Sequence, residues 1–307
     1  MSGVDLAAAV LAAAIALAAP LLYAALGELV SETAGVINIQ LEGMMLCGAL
    51  AAVWAGATSG SVVVGIAAGA LAGMLLAGLH GGLCFVLGAN QVVSGVVLNI
   101  LALGGTSFLA SSVLVDSLAQ GSPTLEPLEI PLLSEVPVLG QVLFRHDVMV
   151  YAVLVAVPVL AVLRRRSKAG LMLSAVGERP SAAASLGVSV PAVRWAALLF
   201  CGGLAGVGGA QLVLASLGAF TEDVTAGRGF IALAAVVFGR WRPVGTLVAV
   251  LLFAAAEALQ VRAQILGVDL PYQALVALPY VVTVVALAGF LRSMRAPAAL
   301  GTPYARS

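Results

Sequence analysis

GLMLSAVGERPSAAASLGV, residues 170–188, is a run of small and charged residues in a chain that is apolar almost everywhere else. Arg164, Arg165, Arg166 and Lys168 stand just before it, and from Arg164 to Arg194 six basic residues accompany a single acid, Glu178. Apolar segments at 148–163 and 195–216 flank this stretch, so it reads as a polar elbow held at a membrane surface between two crossings.

The rest of the composition agrees. Of 307 residues, 62% are hydrophobic and 9% charged, with a mean hydropathy of +1.14, whereas soluble domains carry about 25% charged residues. An all-α polytopic membrane protein is the fold class expected. The N-terminus has Asp5 where a secretory signal would carry Lys or Arg, so the first apolar segment, Val4 to Leu26, is expected to be a retained span. Cys47, Cys84 and Cys201 fall inside apolar segments at unrelated spacings and read as small core residues, with neither disulfide nor metal implied.

A spanning helix needs about 20 apolar residues. The candidates are 5–26, 36–57, 62–87, 92–115, 148–163, 195–216, 244–262 and 272–291. A ninth, 229–239, is too short to span about 30 Å at 1.5 Å per residue and is expected to be a half-helix. The chain thus divides, within a single domain over 1–307, into a first helix set (5–115), an acidic proline-rich loop (116–147), a linking helix (148–163), the basic elbow (164–194), a second helix set (195–291) and a tail (292–307). The acidic loop holds Asp116, Glu126, Glu129, Glu135 and Asp147 against Arg145. The elbow, Arg240 with Arg242, and the tail with Arg292, Arg295 and Arg306 hold eleven of the fourteen basic residues. Counting crossings puts those three on one side, which the bias of basic residues makes cytoplasmic, with the N-terminus out and the C-terminus in. A connection bearing Glu28 and Glu32 then lands inside without a basic residue, mildly against that rule.

The halves echo each other. Gly35-Val-Ile-Asn-Ile matches Gly229-Phe-Ile-Ala-Leu, Gly65 opens a helix as Gly245 does, and Gln91-Val-Val-Ser-Gly falls where Gln273-Ala-Leu-Val-Ala does. One linking helix between the halves would invert the second, and inverted repeats place a transporter's path at their interface. Ala/Val/Leu-rich helices also mimic one another easily. Gly65, Gly69, Gly73, Ala77 and Gly81 recur every fourth residue, as do Gly202, Gly206 and Ala210, and these rows predict close helix packing in lipid.

Polar residues inside the apolar segments are few. Asn38 and Glu42, in GVINIQLEGMML, either cap backbone groups where a helix breaks or line a permeation path. Ser94, Asn99, Gln211, Glu257 and Gln260 suit interhelical hydrogen bonds, with path contacts as the alternative. His80 reads as structural. Lys168 is the only lysine and has no GxxxxGK[ST] context, so ATP hydrolysis by a P-loop is excluded in this chain. The two distant histidines exclude HExxH, GxSxG does not occur, and nothing predicts a nucleic-acid partner; an enzyme is not expected.

GELVSETAGVINIQLEGMMLCGAL (27–50), NQVVSGVVLNILALGG (90–105), GLMLSAVGERPSAAASLGVSV (170–190), CGGLAGVGGAQL (201–212) and GRGFIALAAVVFGRWRPVGTLVAVLLFAAAEALQ (227–260) resemble, in order, blocks of bacterial ABC-importer permeases for nucleosides and simple sugars. These belong to the broader ribose and branched-chain amino-acid permease family. The resemblance implies a multi-pass subunit of the bacterial inner membrane, among membrane lipids, that moves substrate without covalent chemistry. A second permease, often a longer relative, a cytoplasmic ATPase that binds ATP and Mg, and an extracytoplasmic binding protein would complete it, with no cofactor in this chain. It also implies ATPase contact by the elbow, carried onto Gly177, Glu178, Arg179, Ala182, Ala183 and Gly187, which fit the family's xGExxxAAxxxG pattern. Pro180 follows the charged pair where many relatives differ, and it suits the first turn of a helix. GVINIQLEG lies by the path in the family, which supports Asn38 and Glu42 there, and Phe230 in the half-helix is expected near the cavity. The alternatives are an ion-coupled secondary transporter using Glu42 and Glu257, and a membrane scaffold that moves nothing.

Overall fold

The computed structural model describes residues 3–265, apart from 130, 132, 135, 216 and 217, and residues 295–304. The expected span 272–291, the echo at Gln273, Glu135, Arg292 and Arg306 lie outside the described residues. Among the described residues twelve α-helices follow one another: α1 (Gly3–Thr33), α2 (Leu41–Ser59), α3 (Val62–Gly81), α4 (Gln91–Phe108), α5 (Val115–Ala119), α6 (Leu139–Leu143), α7 (Val148–Arg166), α8 (Lys168–Glu178), α9 (Pro180–Ser185), α10 (Val190–Leu214), α11 (Arg228–Phe238) and α12 (Pro243–Ile265). Two-residue strands β1 (Leu128–Glu129) and β2 (Arg145–His146) pair antiparallel in the connection before α7. π-helical turns at Gly82–Val86 and Leu109–Val113 extend α3 and α4.

Seven helices among the described residues are long and apolar enough to cross a membrane, and α11, at 11 residues, is the short one. The chain is a multi-pass all-α membrane protein. Local chemistry sets several helix starts. Asn90 accepts from the amides of Val92 and Val93, Asp147 from those of Met149 and Val150, and Ser167 from that of Gly170; each satisfies donors a helix start leaves open. Pro180 and Pro191 occupy the first turns of α9 and α10, where a missing N–H is harmless.

α1 and α10 form the centre of the bundle, with Leu21, Leu22, Leu26, Leu29 and Leu198 fully buried between them and their neighbours. The main pairings of elements are kept when α1, α2 and α3 are exchanged for α10, α11 and α12. α1 packs on α12 as α10 packs on α3, α1 packs on α11 as α10 packs on α2, and α2 and α11 touch each other. The helix-to-helix match of Gly65 with Gly245 fits this exchange, since both lie in the first turn of α3 and α12. The GVINI and GFIAL echo does not, because 35–39 is not helical whereas 229–233 is.

The glycine rows are packing seams. A Cβ on Gly73 would lie 2.1 Å from the Gly202 carbonyl, one on Gly206 2.1 Å from that of Gly69, and one on Gly48 2.4 Å from that of Gly206. Without side chains there, α2, α3 and α10 approach backbone to backbone, the contact that drives helix association where no water is displaced.

Three expectations are corrected. The first span does not end near Leu26: α1 continues to Thr33 and buries Glu28 and Glu32, which are 0% and 3% exposed. Charges in that stretch signal a connection, but here they find partners inside the bundle. The second span does not begin at 36: residues 34–40 form an irregular segment and α2 starts at Leu41. Gly35, at φ +85°, ends α1 in a left-handed turn that side chains disfavour. Finally, the elbow is narrower than 164–194, since Arg164, Arg165 and Arg166 end α7 and Pro180 opens a helix as expected. It is the helical pair α8–α9, and Arg194 belongs to α10, 3% exposed, donating from Nη1 to the Thr302 carbonyl at 2.8 Å.

One end of the bundle gathers the elbow, the end of α1, the α11–α12 turn and the segment 295–304. The Ala299 amide donates to Gly177 O at 2.8 Å, the Gly301 amide to Gly35 O at 3.0 Å, and Arg164 Nη1 to Trp241 O at 2.5 Å. Most of the described basic residues stand at that end.

Candidate functional site

Two helices begin inside the bundle. α2 follows the irregular segment 34–40 and α11 follows the turn that closes at Gly227, φ +82°, and their first turns abut. A Cβ on Gly229 would lie 2.3 Å from the Glu42 nitrogen, so only glycine allows this approach. Glu42, 7% exposed, bridges the two starts. Its Oε1 accepts from Thr225 Oγ1 at 2.5 Å and from the Gly227 amide at 2.8 Å, and its Oε2 accepts from the Gly229 amide at 2.6 Å. Neither helix start has a side-chain cap from its own N-cap residue, Gln40 or Gly227. One carboxylate therefore sits in the first turn of α2 and against the open amides of α11, where both helix dipoles favour negative charge. Beside it, Arg228 Nη2 and Glu257 Oε1 form an ion pair at 2.5 Å that ties α11 to α12.

The amides of Ala34, Gly35 and Val36 still bond to α1 carbonyls, but residues 37–39 carry backbone groups that no helix satisfies, and buried side chains meet them. Gln91 Oε1 accepts from the Ile37 amide at 2.9 Å, and His80 Nε2 lies 3.3 Å from Ile37 O while its Nδ1 lies 3.1 Å from Ser94 Oγ. Asn99 Nδ2 donates to Ile39 O and its Oδ1 accepts from the Gly43 amide, both at 2.8 Å. The Asn38 amide donates to Glu28 Oε1 at 3.2 Å, and Asn38 Nδ2 contacts Cys201 Sγ at 3.2 Å and Met44 Sδ at 3.4 Å. On α1, Glu32 accepts from Trp241 Nε1 in the α11–α12 turn.

Of the residues expected along a path, Asn38, Glu42, Ser94 and Asn99 thus come together around the break, bonded to backbone or to neighbouring side chains. Gln211 stands apart on α10, its Nε2 3.5 Å from Asp147 Oδ2. Phe230 follows Gly229 at the junction and is 48% exposed. Glu28, His80, Gln91 and Thr225 complete the arrangement. Their types suggested only helix contacts or loops, and Thr225, which does not cap its own helix, carried no signal.

The elbow joins this arrangement at its lower edge. A Cβ on Gly177 would lie 1.9 Å from Thr33 O, so α8 is seated directly on the last residue of α1, beside the break. Val176, Ala183 and Val190 pack together beneath the elbow. Glu178, Arg179, Ala182 and Gly187 are exposed, as are Leu171 and Leu186, the latter 85% exposed.

Two helices that start within an apolar bundle, meet start to start and are related by the pairing of elements fit the pattern of a membrane transport subunit. Comparison with known proteins gives the particular family. Residues 10–289 match the family described as the branched-chain amino acid transport system / permease component, and the chain belongs to it. It is 41% identical to the putative glucose ABC transporter permease protein TsgC13 of Haloferax volcanii, over 86% of this chain and 80% of that one. It is 35% identical to the guanosine ABC transporter permease protein NupQ of Bacillus subtilis over 95% of both chains, and 36% identical to the nucleoside ABC transporter permease protein NupC of Lactococcus lactis over 94% of both. Each of the last two organisms supplies a second, more distant matching permease, as a system with two permease subunits would. No solved structure matches. The chain is a permease component of an ABC transport system and not an enzyme.

Proposed function

We propose that this permease imports a nucleoside, with a simple sugar as the next choice, across the bacterial inner membrane. An ATPase at the basic end of the bundle would drive it. In this reading the basic end is cytoplasmic and the N-terminus is outside. A second permease completes the path, and an extracytoplasmic binding protein delivers the substrate. ATP and Mg stay on the ATPase, and this chain holds no cofactor.

The observation that carries the proposal is the seat of Gly177 on Thr33. An exposed helical elbow, pushed from outside, presses on the end of α1 exactly two residues before Gly35. From there the irregular segment leads to Glu42 and so to the start of α11. A small displacement at α8 is thereby passed through rigid backbone contacts to the junction of the two broken helices, the element able to take two positions. Small residues at Ala182 and Gly187 leave room for a partner's groove, and Glu178 and Arg179 offer charges to pair there.

Ion coupling finds less support. Glu42 is fully engaged by three donors and Glu257 is paired with Arg228, so each already has the partners an incoming cation would need to replace. Two of the relatives carry nucleoside names and one a glucose name, which sets the order of substrates. The test is uptake of labelled guanosine, adenosine and glucose by vesicles holding the full importer with its own binding protein. Nucleoside uptake that requires ATP supports the proposal; uptake driven by a proton or sodium gradient without ATP would refute it.

A further inference from the structure

Where α7 ends and α12 begins, a cavity of about 760 Å³ opens at the basic end of the bundle. Its apolar wall is built by Val244, Val248, Leu252 and Phe253 of α12. From Val244 to Leu252 that wall runs along the helix for about 12 Å at 1.5 Å per residue, well into the span. Its mouth holds Arg164 and Arg165 of α7 with Arg240 and Arg242 of the α11–α12 turn, and no carboxylate lines it among the described residues. A smaller adjoining cavity of about 230 Å³ shares Arg164, Arg240 and Arg242 and adds Arg295, with Glu178 at its edge.

We infer that this cavity binds an anionic phospholipid, its phosphate among the guanidinium groups and an acyl chain along α12. The combination selects the ligand. Both spans terminate at the arginines, which sets the cations at headgroup depth, and basic pockets between helices at that depth take anionic headgroups. A neutral nucleoside or sugar has no use for four cations. A protein in the aqueous phase could meet the arginines but could not reach Leu252, whereas a lipid tail lies there without any rearrangement. The bound lipid would join the end of α7 to the α11–α12 turn, where Trp241 holds both Arg164 and Glu32. It would therefore steady the connection between the turn and α1. The site adjoins the elbow, with Ser174 of α8 in its lining and Glu178 in that of the smaller cavity, but its apolar wall and the arginines tested below belong to α7, α12 and the turn before it, and it goes beyond the transport reading.

The experiment uses the purified permease alone, titrated with dioleoylphosphatidylglycerol and dioleoylphosphatidylcholine and read by native mass spectrometry. Phosphatidylglycerol should be retained in preference to phosphatidylcholine. Arg165→Gln with Arg242→Gln should weaken its retention roughly tenfold or more, and Val248→Trp, which fills the wall and leaves every arginine, should weaken it as well. Equal retention of the two lipids, or retention unchanged in both variants, overturns the inference. Competition by glycerol phosphate as effective as by the lipid would also overturn it, since the acyl chain would then contribute nothing. No step depends on transport, so failure here leaves the importer reading standing, and failure of the importer reading leaves this result interpretable.

Discussion

Glu42 accepts the amide of Gly229 at 2.6 Å across 187 positions of sequence, and in doing so one carboxylate closes the starts of two helices. Three donors converge on it in the apolar interior, where each would otherwise lack a partner.

Glu42→Ala strands those donors. Each unsatisfied buried group costs about 1–3 kcal/mol, so the variant should lose several degrees of thermal stability in detergent and all transport. Glu42→Gln keeps one acceptor oxygen and should fall between the two. A fluorescence melt of the purified subunit checks this ordering.

Gly177→Val drives a side chain into Thr33 O, whereas Glu178→Ala with Arg179→Ala alters only the exposed surface of the elbow. The first should lower both stability and uptake. The second should abolish uptake while the subunit inserts and melts like the unaltered protein, and pull-down of the ATPase should fail. Normal uptake by the double variant would remove the docking assignment.

Gly73→Leu should prevent α3 from meeting α10, because its first side-chain atom already overlaps Gly202. Overpacking of this type costs about 1–3 kcal/mol or more, and expression of monodisperse protein measures it. Gly104→Ala and Gly105→Ala meet nothing within 4 Å in the structure and serve as tolerated controls on a neighbouring helix.

Trp241→Phe keeps an aromatic ring but removes the N–H that reaches Glu32, cutting the hydrogen bond that ties the α11–α12 turn to α1. Uptake should drop at least tenfold, while ATPase binding persists because the elbow is untouched. Limited proteolysis near Arg240 and Arg242, faster in the variant, reports the loosened turn.

Much of this architecture was legible in the sequence. Apolar length placed most spans, the glycine period placed the seams, and Arg164 to Lys168 marked the elbow. What stayed hidden has a common cause. Glu28 and Glu32 resemble loop residues until the Asn38 amide and, far along the chain, Cys201 and Trp241 are seen beside them. The break at 34–40 is likewise apolar enough to pass for helix. It is stable as irregular backbone because Glu28, Gln91, His80 and Asn99 on the surrounding helices satisfy it. For Asn38, Glu42, Ser94 and Asn99, residue type announced a special place, but the choice between capping and lining a path depends on partners that only tertiary structure supplies.

The account rests on the elbow being reached from the compartment that holds the ATPase. In a chain with Cys47, Cys84 and Cys201 replaced by alanine, Leu186→Cys offers a thiol at an 85% exposed position. A membrane-impermeant maleimide should leave intact cells unlabelled, label inside-out vesicles, and be blocked there by bound ATPase; labelling of intact cells would contradict the account.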